Sequence, residues 1–379
     1  MNGTALLTPL TGIGQYVKQL SNALIEQELC ELTTFSGHSF HQGINLPTEK
    51  AAQKAQKAKL IAERLIPFPR QARRLAQKVL FSYHSHRLAR SGAIYHEPNY
   101  LPLPYAGPLV LTVCDMSCFD LPETHPEERI RLMETQFPRA VERADHLIVI
   151  SEDSGRALQR WFSVPSEKIT TTYLAADPRF RPMDTEQLKA PLAQLQLEEK
   201  GYVLCVGTLE PRKNLGTLLA AYSEMPANLR ARYPLVVAGM SGWRNEQLMA
   251  DAQLMISRGE LRLLGYVPDD LMPALYAGAA AFCYPSRYEG FGLPALEAMA
   301  AGVPVLTGNL TSLPEVVGDA GLMAHPDDVP AMKASLQLLL QEPEFAARKA
   351  REGIEQAAKF SWQRCARETA AVYDQVRGE

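Results

Sequence analysis

Short apolar runs alternate with longer amphipathic stretches along this chain, a pattern typical of alternating strands and helices. In the first half, Gln15–Cys30 has helical periodicity, whereas Leu109–Val113 and Leu147–Ile150 are short apolar runs that predict buried strands. Ser151 directly follows the second run and predicts a helix cap.

The second half repeats this rhythm and ends in a predicted helix over about Trp362–Val376. Its predicted strands are Tyr202–Val206, Leu235–Gly239, Leu261–Gly265, Ala280–Tyr284 and Val303–Thr307. Strands that alternate with helices across short loops favour parallel, doubly wound sheets, so we predict an α/β fold in both halves.

Two domains are expected from the length of 379 residues, since one domain typically takes about 100–200 residues. Prolines cluster among charged residues between Asp177 and Pro191, shortly before the first predicted strand of the second half. We therefore predict domains over 1–178 and 179–360, with a final helix over 361–379 that packs back on the first domain.

The composition narrows the class of protein. Six scattered cysteines, without a Cys-x-x-Cys pair or zinc spacing, predict reduced thiols in a cytosolic protein. The chain shows no secretory leader pattern and no apolar run of the ~20 residues that a bilayer span needs, so we expect a soluble or peripheral protein. A net charge of −3 gives no reason to expect a nucleic-acid binder.

Residues 50–90 depart from this balance, because eleven Lys or Arg residues face one acid, Glu63, which leaves a local charge near +10. Apolar residues interrupted at Pro67 and Pro69 predict two basic amphipathic helices joined at a kink. Such helices would lie on an anionic membrane or hold an anionic lipid-linked acceptor. A solvated pair of surface helices is the alternative interpretation.

Two carboxylates, Glu289 and Glu297, stand eight positions apart with two glycines and Pro294 between them. Proline suits the first turn of a helix, so Glu289 is expected in the preceding loop and Glu297 just inside the helix. The amides of a helix N-terminus attract anions, so a phosphate could lie between the acids while each carboxylate reaches a hydroxyl. That arrangement fits a nucleotide sugar, although two ordinary surface acids would give the same spacing.

Arg212 and Lys213 follow the predicted strand that ends at Val206. Two cations at the carboxyl end of a strand can neutralise the charge on a departing diphosphate, whereas a chance basic pair on a surface loop is the simpler interpretation. Gly12 and Gly14 lie at the start of the first predicted helix. They could form no more than a tight turn, or their backbone amides could face a phosphate.

Together these stretches resemble the retaining, nucleotide-sugar-dependent group 1 glycosyltransferases (glycosyltransferase family 4), whose architecture is called GT-B. The resemblance covers most of the chain, and its most specific element is Glu-x7-Glu. It rests on Thr11–Gly14, Val206–Asn214, Gly265–Pro268, Pro285–Glu297 and Ser312–Gly318. The resemblance implies two Rossmann-like domains facing across a cleft, with the acceptor on the first domain and the donor chiefly on the second.

By motif, the resemblance also implies a set of donor-site residues. They are Gly12, Gly14, Arg212, Lys213, Tyr266, Val267, Glu289, Gly290, Phe291, Gly292, Leu293 and Glu297. Arg212 and Lys213 would hold the diphosphate, Glu297 the ribose hydroxyls, and Tyr266 and Val267 would lie beside the base. No metal or other cofactor is implied, because the cations and the helix N-terminus do the work that magnesium does elsewhere.

Retention of the anomeric configuration is implied, through front-face attack in which the leaving phosphate oxygen accepts the acceptor's proton. Glu289 is then a positioning group, not a nucleophile or general acid. Two departures from the family pattern weaken the transfer of roles. Cys114-Asp115 stands where many relatives have His-Asp, which leaves Asp115 a catalytic or capping candidate. Only Thr4–Leu7 is available for a first strand that is usually longer.

Gly207–Asn214 and Thr171–Asp177 are most similar to bacterial enzymes that build mannose- or rhamnose-containing surface polysaccharides. The resemblance implies a hexosyltransferase that uses GDP-mannose or GDP-rhamnose and a lipid-linked glycan acceptor in lipopolysaccharide O-antigen assembly. It would work in the cytoplasm, peripherally on the inner face of the cytoplasmic membrane. A nucleotide-sugar 2-epimerase and a non-catalytic sugar-nucleotide-binding protein are the alternatives, since fold does not fix function.

Overall fold

The computed structural model describes residues 1–7, 12–44, 69–240 and 246–378, with only the backbone described for 69–76 and 246–251. The chain divides into two compact units. The first contains the described residues of Met1–Met116, Arg131–Leu174 and Ser361–Glu379, and the second those of Ser117–Ile130 and Ala175–Phe360.

The first unit carries a four-stranded parallel sheet and a short antiparallel pair. Its strands are β1 (Thr33–Phe35), β2 (Phe40–Gln42), β3 (Tyr95–Glu97), β4 (Leu109–Val113), β5 (His146–Val149) and β6 (Ile169–Thr171). Strands β3 to β6 lie in sequence order, and β1 pairs with β2. Its helices are α1 (Gly12–Glu26), α2 (Pro69–Arg90), α4 (Glu127–Arg143, which starts in the second unit), α5 (Glu152–Phe162) and α15 (Trp362–Arg377), with a 3-10 turn at Ser166–Lys168.

Several local predictions for the first half are confirmed. The Ser151 hydroxyl accepts a hydrogen bond from the amide of Ser154 and so caps α5. Helix α1 begins at Gly12. Within this unit, the final helix α15 packs on α1, where the rings of Tyr16 and Trp362 lie 6.5 Å apart.

Thr4–Leu7, the stretch available for the first strand that the resemblance implies, forms a 3-10 turn instead of a strand. The side chain of Asn2 accepts a hydrogen bond from the amide of Thr4 at 3.1 Å, and the Leu6 amide donates to the carbonyl of Gly3. An Asx-type turn of this kind competes with extended backbone. Asn2 itself forms an isolated parallel bridge with Phe35, the last residue of β1.

The second unit contains one six-stranded parallel sheet. Its strands are β7 (Val203–Val206), β8 (Leu235–Ala238), β9 (Leu261–Gly265), β10 (Ala281–Tyr284), β11 (Val305–Gly308) and β12 (Leu322–Ala324). Their order across the sheet is β12-β11-β10-β7-β8-β9. With β7 to β12 renumbered as strands 1 to 6 and the sheet read from β9 to β12, this is the order 3-2-1-4-5-6 of the dinucleotide-binding fold. The direction of winding therefore reverses between β7 and β10.

The helices of the second unit lie before, between and after these strands in the chain. They are α3 (Ser117–Asp120), α6 (Thr185–Leu195), α7 (Leu215–Ser223), α8 (Ala227–Arg232), α9 (Glu246–Ser257), α10 (Met272–Ala277), α11 (Leu293–Ala300), α12 (Leu313–Val317), α13 (Val329–Gln341) and α14 (Pro343–Ala357), with 3-10 turns at Pro122–Thr124, Pro211–Lys213 and Gly318–Ala320. Apolar strand residues such as Val203, Leu235 and Cys283 are fully buried beneath them. The α/β prediction, with parallel sheets in both halves, is confirmed.

Chain segments approach closely at the carboxyl edge of this sheet. A Cβ atom placed on Gly239, which follows β8, would lie 1.9 Å from the carbonyl oxygen of Gly207, which follows β7. Only glycine permits this contact, so the loops after β7 and β8 begin side by side. Among the described residues, no helix has both the length and the apolar composition needed to cross a bilayer.

Candidate functional site

The loops that follow β7 and β10 meet at the winding reversal of the second sheet. Ligands of open α/β sheets bind beyond the carboxyl ends of the strands at this point. Arg212 and Lys213 lie in the 3-10 turn after β7, and Glu289 lies in the loop after β10. The amide of Arg287 donates to the carbonyl of Arg212 at 2.8 Å, which ties the two loops together.

A buried ion cluster occupies this meeting point. The ammonium of Lys213 lies 2.6 Å from Oε1 of Glu289, and Nη1 of Arg212 lies 3.3 Å from Oε2 of the same carboxylate. Nε of Arg212 lies 2.7 Å from Glu210, and Lys213 also donates to the hydroxyl of Tyr284 at 2.7 Å. The predicted triad of Arg212, Lys213 and Glu289 is therefore brought into contact within one unit.

The electrostatics of the cluster keep Glu289 ionised. Burial alone raises the pKa of its carboxyl, but the charges of Lys213 and Arg212 outweigh burial, and the pKa lies below its ordinary value. Burial and the neighbouring Arg212 charge lower the pKa of Lys213. An ionised carboxylate cannot protonate a leaving group, which agrees with the interpretation of Glu289 as a positioning group.

Backbone contacts hold Glu289 in place. The hydroxyl of Thr311 accepts a hydrogen bond from the Glu289 amide at 3.0 Å, and Ser312 donates to its carbonyl at 2.9 Å. Arg212 Nη1 donates to the carbonyl of Tyr288 at 2.9 Å. Tyr288 lies within the stretch Pro285–Glu297 that carries the resemblance, whereas Thr311 lies outside the quoted stretches and is added to the site by the structure.

Asp120 was missed by the sequence reasoning. Tyr288 donates a 2.9 Å hydrogen bond to Oδ2 of this residue, which lies in α3, 168 positions away, yet within the same unit. No local pattern around Asp120 indicates the contact. Glu210 could have been found, because it lies in the same loop as Arg212 and has the opposite charge.

Helix α11 begins where the sequence predicts. Gly292 precedes it with φ +106°, a conformation that favours glycine, and Pro294 lies in its first turn. The first amides of a helix have no acceptor within the helix, so those at Gly292 and Leu293 are suited to an anion. Phe291 and Gly290 precede this turn, and Ser312 donates to the carbonyl of Phe291 at 2.9 Å.

Glu297 lies on the second turn of α11, where the hydroxyl of Tyr276 donates to its Oε2 at 2.9 Å. Burial raises the pKa of the Glu297 carboxyl to about 8, and the negative charges of Asp177 and Asp269 act in the same direction. The two acids of the Glu-x7-Glu element therefore differ, since Glu289 is ionised and Glu297 carries a proton at neutral pH. Tyr276 was not foreseen from the sequence.

The remaining predicted residues lie in two places. Tyr266 and Val267 follow β9 in the second unit, with Tyr266 59% exposed and Val267 buried. Gly12, Gly14 and Asp115 lie in the first unit. Asp115 follows β4, and its amide donates to the hydroxyl of Tyr100 at 2.9 Å.

Comparison with known proteins identifies the family. The chain is 40% identical over 371 residues to the O-antigen chain mannosyltransferase B of Escherichia coli, which covers 96% of each protein. Residues 190–359 match the family described as glycosyl transferases group 1. The chain belongs to the group 1 glycosyltransferases. The predicted resemblance is therefore confirmed.

Solved structures agree with this glycosyltransferase fold. The sucrose-phosphate synthase of Thermosynechococcus elongatus superposes with a TM-score of 0.72 at 20% identity, covering 97% of this chain and 94% of that one. WaaG, a glycosyltransferase involved in lipopolysaccharide biosynthesis, gives 0.69 at 15% identity, with 98% and 97% covered. The GT-B architecture of this glycosyltransferase is thus confirmed.

Proposed function

We propose that this glycosyltransferase is a retaining mannosyltransferase of bacterial O-antigen synthesis, with GDP-mannose as its donor and GDP-rhamnose as the second choice. The contact of Lys213 and Arg212 with Glu289, at the winding reversal of the second sheet, carries the proposal. The relative named O-antigen chain mannosyltransferase B, at 40% identity over 96% of the chain, favours mannose as the sugar.

In this proposal the diphosphate of the donor lies on Arg212 and Lys213 and on the amides that begin α11. The cations stabilise the negative charge that grows on the diphosphate as the sugar leaves. A diphosphate is a good leaving group, so its oxygen accepts the proton of the attacking hydroxyl. Glu289 then orients the sugar by accepting hydrogen bonds from its hydroxyls, and Glu297 binds the ribose.

No metal enters this scheme, because Arg212 and Lys213 supply the positive charge. Transfer is therefore expected to continue at an unchanged rate after the protein and substrates are treated with a strong chelator. A rate that falls with chelation and returns with added Mg²⁺ or Mn²⁺ would contradict this part of the proposal.

Incubating the purified protein with labelled GDP-mannose, with and without a lipid-linked glycan acceptor, tests the function. Transfer of mannose only when acceptor is present supports the proposal. Isomerisation of the sugar nucleotide would identify a 2-epimerase, and binding without either reaction would identify a sugar-nucleotide-binding protein. Parallel trials with UDP- and ADP-sugars fix the base, whose choice depends on contacts of a few kcal/mol.

We further propose that α2 contacts an anionic membrane that holds the acceptor. This helix contains no acidic residue, and Arg87 and Arg90 are exposed on it. Val79 and Tyr83 are 61% and 79% exposed, while Phe81 is buried against the first unit. An outer face that combines cations with exposed apolar and aromatic groups suits a lipid interface. The predicted companion helix before Pro67 lies outside the described residues.

Sedimentation with anionic vesicles at low salt tests the membrane contact. The variant Arg87→Glu/Arg90→Glu is expected to bind at least about 30-fold less, since each of the two basic side chains near such a surface contributes about 1 kcal/mol. Arg139→Glu/Arg351→Glu, which makes the same charge change at exposed positions elsewhere, serves as the control. Equal binding by both variants would refute a role for α2.

A further inference from the structure

One carboxylate bridges both cations of the candidate site. Oε1 of Glu289 lies 2.6 Å from Lys213 and Oε2 lies 3.3 Å from Arg212, and the Glu289 side chain is only 8% exposed. A diphosphate also presents anionic oxygens to two neighbouring cations. Glu289 and a diphosphate therefore require the same partners.

The charge of the cluster makes this competition important. Arg212 and Lys213 contribute two positive charges, and their contacts Glu289 and Glu210 contribute two negative ones. A neutral cluster attracts a diphosphate weakly, so strong binding requires one carboxylate to move away from the cations. A buried charge that loses its partner is strongly destabilising, so the carboxylate that moves away from the cations needs new hydrogen-bond donors.

Glu289 is better placed to move than Glu210. The Glu210 carboxylate pairs with Arg212 at 2.7 Å and lies on the same loop as that cation. Glu289 contacts both cations from the opposite loop and is followed by Gly290. Lys213 would keep the Tyr284 hydroxyl, 2.7 Å away, as a second partner.

We propose that Glu289 and the donor's diphosphate compete for Arg212 and Lys213, so that donor binding exchanges one anion for the other and turns Glu289 towards the sugar hydroxyls. This inference rests on the proposed donor site. It gives the enzyme a means of discrimination, because a bare nucleoside diphosphate displaces Glu289 without offering it sugar hydroxyls. An intact nucleotide sugar does both.

Calorimetric titration with inorganic diphosphate and with GDP tests the exchange. Glu289→Gln is expected to bind inorganic diphosphate about fivefold or more tightly than the natural protein, although it loses a residue of the site. Glu210→Gln is the matched control, since it makes the same charge change but releases Arg212 alone, and a gain below about twofold is expected. Lys213→Met should weaken binding about tenfold.

Glu289→Asp provides a test at constant charge. Its side chain is one methylene shorter and cannot span both cations, so diphosphate binding should tighten about twofold or more. This variant also decides the matter if Glu289→Gln fails to fold. Unchanged or weaker diphosphate binding by Glu289→Gln and Glu289→Asp, or an equal gain in Glu210→Gln, would overturn the exchange. Diphosphate binding in the expected order by a protein that transfers no sugar would instead refute the proposed function alone.

Discussion

The hydroxyl of Tyr276 donates a 2.9 Å hydrogen bond to Glu297, and burial raises the pKa of that carboxyl to about 8. An exposed glutamic acid titrates near 4.5. Between these values the folded protein holds a proton at Glu297 that the unfolded chain releases. This group therefore makes the folded state less stable as the pH rises from about 4.5 to about 8, and has no further effect above the upper value.

Replacing Glu297 with Gln should remove that pH dependence, because the amide is neutral and can accept the same hydrogen bond. The difference in unfolding free energy between Glu297→Gln and the natural protein should move in favour of the variant as the pH rises from 5 to 8, by at most about 1.4 kcal/mol per pH unit. Urea unfolding at several pH values measures it. Parallel curves for both proteins would show that Glu297 titrates normally.

The same substitution at Glu289, the other acid of the Glu-x7-Glu element, should affect turnover instead of the pH dependence of stability. Glu289→Gln is expected to lower kcat about 100-fold or more, since the group that orients the sugar loses its charge, while thermal unfolding stays cooperative. Steady-state kinetics and calorimetry measure the two effects. A variant that unfolds but recovers full turnover at low temperature would assign Glu289 a purely structural role.

Arg212 should not tolerate the conservative change to Lys. Its guanidinium contacts Glu210 and Glu289 on different sides, and an ammonium cannot reproduce that fork. We expect kcat to fall about 100-fold. Arg230→Lys is the control, because Arg230 forms a comparable ion pair with Glu260, 3.2 Å long, outside the candidate site. The turnover of this control should stay within twofold of that of the natural protein. Equal losses in both variants would refute a specific role.

The close approach of the loops after β7 and β8 predicts a large cost for Gly239→Ala. The added methyl group would meet the Gly207 carbonyl at 1.9 Å, and backbone cannot yield as a side chain can. We expect a loss of about 3 kcal/mol or more in unfolding free energy. Gly259→Ala has an open site with φ +70° and should lose only about 1–2 kcal/mol. Similar losses would contradict the described loop geometry.

Much of the second unit could be predicted from sequence because its determinants are local. Short apolar runs mark β7 to β11, and Pro294 with Gly292 marks the start of α11. The family resemblance then assigns Arg212, Lys213 and Glu289 to one site, and the structure brings them into contact. Site residues that lie near the end of a strand can therefore be identified from the sequence.

The rest depends on contacts between distant segments. Asp120 reaches Tyr288 across 168 positions, and Tyr276 reaches Glu297 from another helix, so neither contact has a local pattern. Thr4–Leu7 was the stretch available for the first strand that the family resemblance implies, but the side chain of Asn2 accepts from the Thr4 amide and these residues form a turn. The raised pKa of Glu297 likewise follows from burial, which spacing alone does not reveal.

The decisive measurement is transfer of labelled mannose from GDP-mannose to a lipid-linked glycan, compared between the natural protein and Lys213→Met. The natural protein is expected to transfer mannose with retained anomeric configuration. Lys213→Met is expected to lose about 100-fold or more of this activity while it remains folded. Equal transfer by both proteins would contradict the claim that the cations beside Glu289 bind the departing diphosphate.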